Sequence, residues 1–260
     1  MKKVNELYKD QRFVNEDIYV IGTGPSLRLF PTSFLNNKFS IGLNNSYKFV
    51  KSQIIVTIHP DLHYPFDEEV DSIWISKYDK CKKTLTDEQF KRIENKFYFY
   101  SNDGKPNTAP ANEPTNEGRI LEWLDNPTDD KLYQWSSISQ TAINLAVNLG
   151  AKNIFLVGCD GGPILGNDHV DNQHTRWKGV DPDHRYRQYR EGIAEIRNRL
   201  IEKDINVMSL SPFSSLVDIH EEFTNLCKIK NVSHLIESKE DISPNQQKSL
   251  IYTLINKLFK

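Results

Sequence analysis

At 260 residues the chain is long enough for one sizeable α/β domain with a buried core. Its 33 Lys+Arg nearly cancel its 35 Asp+Glu, which excludes an overall basic field for nucleic acid, so any anion must be held locally. Three widely spaced cysteines, Cys81, Cys159 and Cys227, with no C-x-x-C pair, exclude a disulfide framework and a zinc knuckle and point to a reducing, cytoplasmic setting.

Met1 to Glu16 reads as a polar lead-in with one helical turn. It has no apolar core of signal-peptide length, and nowhere does the chain approach the roughly 18 apolar residues of a membrane span. Asp17 to Leu27, D-I-Y-V-I-G-T-G-P-S-L, is the most informative stretch. Four apolar residues, Ile18 to Ile21, run into Gly22-Thr23-Gly24-Pro25-Ser26, the pattern of a buried parallel strand ending in a glycine turn that opens a helix. Such a turn lets a ligand approach the backbone, and N–H groups at a helix start favour a phosphate. The third glycine of the dinucleotide fingerprint and the Walker lysine are both missing.

Further strands are expected at Phe39–Leu43, Gln53–Ile58, Ser72–Ser76 and Lys96–Tyr100, with a helix over Thr86–Asn95. The first two end in polar residues, Asn44-Asn45-Ser46 and His59-Pro60-Asp61, where open α/β sheets bind ligands. Ser101 to Tyr133, with Pro106, Pro110, Pro114 and Pro127, is a long loop suited to a lid. Ile138, Ala142, Leu145, Ala146 and Leu149 lie on one helical face, Gly150 stops that helix, and the strand Ile154–Val157 leads to Asp160. A second long loop, Gly161 to His184, gathers Asp168, His169, Asp171, His174, Arg176, Lys178, Asp181, Asp183 and His184. Zinc or a harder cation is conceivable for its His and Asp residues, but the spacing matches no defined motif. A helix over Arg185–Lys203 and a strand over Ile205–Leu210 follow, then short helices at Phe213–Cys227 and after Ser243-Pro244. The last helix is amphipathic and admits core packing, an oligomer contact or peripheral docking on the inner face of a membrane. Residues 1–230 are expected as one catalytic domain and 231–260 as a C-terminal helical extension.

With these pieces in order the chain resembles the family-42 bacterial sialyltransferases and the related motility accessory factor glycosyltransferases, which handle nine-carbon acidic sugars. The matching pieces are G-T-G-P-S-L, Leu43-Asn44-Asn45-Ser46-Tyr47, the S-S-I-S-Q helix running to Leu156-Val157-Gly158-Cys159-Asp160, and Leu210-Ser211-Pro212, covering roughly Ile18 to Leu216. The resemblance implies an α/β fold with a Rossmann-like, mostly parallel sheet of the GT-A variant type, helices on both faces and a long lid loop. It implies a CMP-sugar donor held by Gly22, Gly24, Ser26 and Asn44, with Thr23, Pro25 and Asn45 in the same turns, by Ser136, Ser137 and Ser139, and near Asp160. The acceptor would be a glycan or protein hydroxyl, and no metal cofactor is expected.

A histidine in the loop before the following helix would be the general base, His184 by its spacing from Pro212, with His174 as rival and His169 third. His59-Pro60 stands where the family has an asparagine before proline. The tyrosine pair that steadies the leaving phosphate has no counterpart, so Arg176, Lys178, Arg185 or Tyr186 would take that part. Two other classes stay open: a pterin diphosphokinase-like magnesium-nucleotide enzyme using Asp160 with Asp168, and a non-catalytic nucleotide- or glycan-binding module.

Overall fold

A computed structural model describes residues 1–8, 13–28, 30–101, 129–133, 136–162, 169–170 and 182–210, with 182–184 as backbone alone. The apolar run Ile18–Ile21 forms most of the strand Asp17–Ile21 (β2), and all four of its side chains are fully buried. Burial on both faces requires cover on both, and the sheet around β2 has it. The other strands are Lys2–Lys3 (β1), Ser40–Leu43 (β3), Ile54–Thr57 (β4), Ile73–Lys77 (β5), Tyr98–Tyr100 (β6), Asn153–Val157 (β7) and Asn206–Ser209 (β8). Their order is β1-β6-β5-β4-β3-β2-β7-β8, with every pairing parallel. This is the expected Rossmann-like α/β architecture, with an entirely parallel sheet among the described residues.

Side-chain alternation sorts the core into two layers. Ile18, Val20, Ile41, Val56, Ile154 and Leu156 face the helices Ile138–Asn148 and Pro182–Ile201 through Ala142, Leu145, Ile193, Ile196 and Leu200. On the opposite face Tyr19, Ile21, Phe155 and Val157 meet Leu27, Phe30 and Leu35. Farther along that face, Ile55, Phe97 and Phe99 meet Cys81, Phe90 and Ile93 of the helices Tyr78–Thr84 and Asp87–Ile93. No helix among the described residues is long and apolar enough to cross a membrane.

The chain leaves β2 toward β3 on one face, whereas β7 returns to the other side of β2 behind the helix Ile138–Asn148 on the opposite face. Right-handed crossovers demand this change of face when the direction of strand addition reverses. The reversal makes the carboxyl ends of β2 and β7 a topological switch point, the position outside which open α/β sheets have their ligand crevice.

The helix Ile138–Asn148 is fixed at both ends. Ser137 is its N-cap: its hydroxyl accepts from Ser139 N–H at 3.2 Å, while Gln140 Oε1 accepts from Ser137 N–H at 3.3 Å. At the other end Gly150 takes φ +95, Gly150 N–H donates to the Val147 carbonyl at 2.9 Å and Ala151 N–H to that of Ala146 at 3.0 Å, the paired bonds of a Schellman stop.

Several expectations shift. The lead-in contains the edge strand β1 besides its 3₁₀ turn Val4–Leu7, and the helices Pro60–His63 and Tyr78–Thr84 were not foreseen. The helix expected from Arg185 begins at Pro182, so His184 lies in its first turn and not in the loop before it. Most of both long loops, the Phe213–Cys227 and C-terminal helices, Cys227 and the 231–260 extension lie outside the described residues.

Candidate functional site

Because all the described strands are parallel, the segment that follows each of them emerges at one edge. The glycine turn leaves β2, Asn44 and Asn45 leave β3, His59 follows β4, and Gly158-Cys159-Asp160 leaves β7. Helices that precede a strand begin at the same edge, which brings Ser136, Ser137 and Ser139 there, and His184 by its backbone. With neighbouring strands about 4.8 Å apart, the span from β4 to β7 is about 14 Å. His174 and Arg176 lie outside the described residues.

The glycine turn is locked to β7 and is less open than a phosphate cradle. Gly22 N–H donates to the Val157 carbonyl and Gly24 N–H to the Gly158 carbonyl, both at 2.7 Å. A Cβ on Gly22 would lie 2.3 Å from the Gly158 oxygen, and one on Gly24 2.5 Å from Asp160 Oδ2. Pro25 opens the 3₁₀ turn Pro25–Arg28, and Ser26 N–H donates to Asp160 Oδ2 at 2.8 Å while its hydroxyl donates to Oδ1. The chain's own carboxylate therefore sits where the sequence places an anion, at the start of this turn. Burial beside Asp160 pushes the Cys159 thiol up to about 12, and burial pushes Cys81 up to about 11, so neither thiol is poised as a nucleophile.

Residues 169–170 cross this turn. Thr23 Oγ1 lies 3.1 Å from His169 Nδ1, Val170 N–H donates to the Thr23 carbonyl at 2.8 Å, and Arg28 Nε donates to the Val170 carbonyl. Val170 is buried against the Tyr19 and Ile21 face, which anchors the segment.

Asn44 adopts φ +51, a conformation Asn tolerates better than most residues, and its Oδ1 accepts from Thr57 Oγ1 at 2.9 Å. Thr57 Oγ1 accepts in turn from His59 N–H at 3.2 Å, tying the ends of β3 and β4 together. His59 Nδ1 lies 3.8 Å from Asp61 Oδ1. Burial, reinforced by Lys80, lowers the His59 pKa against the pull of Asp61. His63 lies deeper in charge terms: burial, then His59, with His169 and Lys48 adding to it against Asp61, brings it down to about 4. Among the described residues no three His, Cys, Asp or Glu side chains converge well enough to hold a metal ion.

The depressed His63 has a measurable consequence. From its ordinary 6.5 down to about 4, the unfolded chain takes up the proton before the folded one does. Stability is thus complete above that window and falls as pH drops through it, by roughly 1–2 kcal/mol once screening by the solvent that reaches the ring is allowed for. A His63→Gln chain should show a flatter dependence of urea midpoint on pH across the same interval, and an unchanged slope would remove the assignment.

No protein-family model matches this chain, and no curated protein matches it. Among solved structures it is similar to the sialyltransferase CstII from Campylobacter jejuni in complex with a substrate analogue, cytidine-5'-monophosphate. Sequence identity is 15%, coverage is 78% of this chain and 84% of that one, and the TM-score is 0.46. That likeness is too slight to bear on function, and the architecture is read from the sheet itself.

His63 and Lys77 join Asp61 at the site although the sequence pattern did not single these two out. The signal for His63 was its place in H-P-D-L-H directly after β4, with Pro60 at the first position of the short helix Pro60–His63. Ser136, Ser137 and Ser139 were expected as ligand contacts, and their observed hydrogen bonds cap a helix.

Proposed function

We propose that this chain is a glycosyltransferase that moves an acidic, sialic-acid-like sugar from a CMP donor to a glycan or protein hydroxyl. One observation carries the proposal: the pieces that resemble the sialyltransferase families, far apart in sequence, come out at one edge of a parallel sheet around its switch point. The glycine turn, Asn44 and the Ser137 helix start flank the crevice from both faces, as a nucleotide sugar lying across it would require.

In the proposed reaction the acceptor oxygen attacks the anomeric carbon as the bond to the CMP phosphate breaks, with inversion. His184, or His174, takes the hydroxyl proton, and CMP leaves with the bonding pair. The Asp160 carboxylate at the Ser26 turn repels a phosphate placed directly on it, so in this scheme the phosphate takes another position and is steadied by Arg176, Lys178, Arg185 or Tyr186. No metal takes part in this scheme.

Thermal unfolding with CMP, CDP, UDP, ATP and NAD, each with magnesium or with EDTA, and with a set of glycans, is the test. At one hundred times its dissociation constant a ligand adds about 2.7 kcal/mol, a shift of a few degrees. CMP should stabilise equally in EDTA. Stabilisation by ATP only with magnesium would replace the transferase by a phosphoryl-transfer enzyme, and response to glycans alone would leave a binding module.

A further inference from the structure

Apart from the switch-point crevice, the same edge carries a concentration of positive charge that the glycine turn and its partners do not explain. The register pairs Thr57 with Ser76 and Leu43 with Val56, so the chain emerges from β3, β4 and β5 side by side. What emerges is Lys48 at the end of the 3₁₀ turn Asn44–Lys48, His59 and His63 around the helix Pro60–His63, and Lys77 with Lys80 at the start of the helix Tyr78–Thr84. Lys77 is only 8% exposed.

These groups are close enough to work against one another's charge: Lys80 on His59 and Lys77, and Lys48, His59 and His169 on His63. The carboxylates that oppose them are Asp61, acting on both histidines, and Asp79, acting on Lys77. His63 Nδ1 is buried with no hydrogen-bond partner among the described residues. In a chain of net charge −2, five cationic or protonatable groups on three adjacent strand ends form a local field that an anion would relieve. A buried ring nitrogen gives that anion a hydrogen-bonding position.

We propose that Lys48, His59, His63, Lys77 and Lys80 form an anion subsite at the carboxyl ends of β3, β4 and β5, which takes a carboxylate or phosphate carried by the acceptor. The assignment to the acceptor rests on the transferase proposal; the subsite itself stands on the charge arrangement. β4 and β5 lie two and three strands from β2, about 10–14 Å away, so a phosphate seated at the β2–β7 crevice does not itself fill this subsite. On the transferase proposal that acidic group is assigned to the second substrate, which makes the acceptor an acidic glycan. Anion binding favours the protonated imidazoles, so affinity rises as pH falls toward the depressed His63 value of about 4.

The test follows the histidine ring resonances of the full chain during titration with inorganic phosphate and, separately, with glucuronate, in wild type and in a Lys48→Ala/Lys80→Ala variant. Lys48 is exposed and Lys80 half-buried, so the variant keeps the core. The expected result is that at least one anion moves the His59 and His63 resonances, raises the His63 titration midpoint, and binds the variant roughly tenfold more weakly. Response to phosphate alone or to glucuronate alone identifies the acidic group of the acceptor. CMP affinity is measured in parallel and should be the same in both proteins. If neither anion moves these resonances, or the variant responds as wild type does, the subsite is overturned. If CMP affinity falls with the variant, the subsite holds the donor and the acceptor assignment is overturned. If CMP binds neither protein while the anions still act, the donor proposal fails and the subsite stands.

Discussion

A Gly22→Ala chain is expected to lose on the order of 3 kcal/mol of stability, which for a chain of this kind is a large part of the total. The added methyl carbon would lie 2.3 Å from the Gly158 carbonyl oxygen and 2.9 Å from its carbon, both backbone atoms. They cannot give way without parting β2 from β7, because Gly22 N–H donates to Val157 and Gly24 N–H to Gly158 in the same seam. The urea midpoint is the measurement. Gly162→Ala is the matched control, since its Cβ would meet only the tip of the Arg190 side chain at 3.4 Å, and it should cost under about 0.5 kcal/mol. Similar costs at the two positions would mean that the seam is looser than described.

Sugar transfer by a His184→Ala chain is expected to fall on the order of 10²–10⁴-fold with CMP affinity preserved, the range for removing a general base. The helix Pro182–Ile201 precedes β8, runs back along the sheet and begins at the carboxyl edge, so position 184 belongs to the ligand side of the domain. The pH–rate profile separates a base from a structural residue: wild type should lose rate as pH drops through the base's pKa, and the variant should lack that limb. A full loss in His174→Ala with a normal His184→Ala would transfer the role to His174. Normal rates in both would remove base catalysis by this segment.

The strand pattern was legible because parallel strands buried on both faces leave continuous apolar runs, and Ile18–Ile21, Ile54–Val56 and Ile154–Val157 have no other use in the chain. The stop at Gly150 was equally plain, since a glycine after an apolar helical face has one common meaning. What escaped was short or reciprocal. Lys2–Lys3 has no strand signature and pairs only because the Tyr98–Phe99 edge offers it hydrogen bonds. Ser137 with Gln140 forms a capping box that the sequence reading did not name, and Pro182 at a first helical position marked an earlier start than the apolar face alone suggests. The bond from Ser26 to Asp160 had no local signal, because a glycine turn that cradles an anion and one that accepts its own chain's carboxylate share the same residue pattern.

That bond joins residues 134 positions apart, and the strands behind it are equally distant in sequence. β1 to β6 can be gathered from the first half of the chain, but the seam between β2 and β7 must wait until the second half has been made and has found its way back. Contacts of such separation carry a large loop-closure entropy and form late. The edge around the β2–β7 seam is thus expected to be among the last parts of the sheet to form during folding.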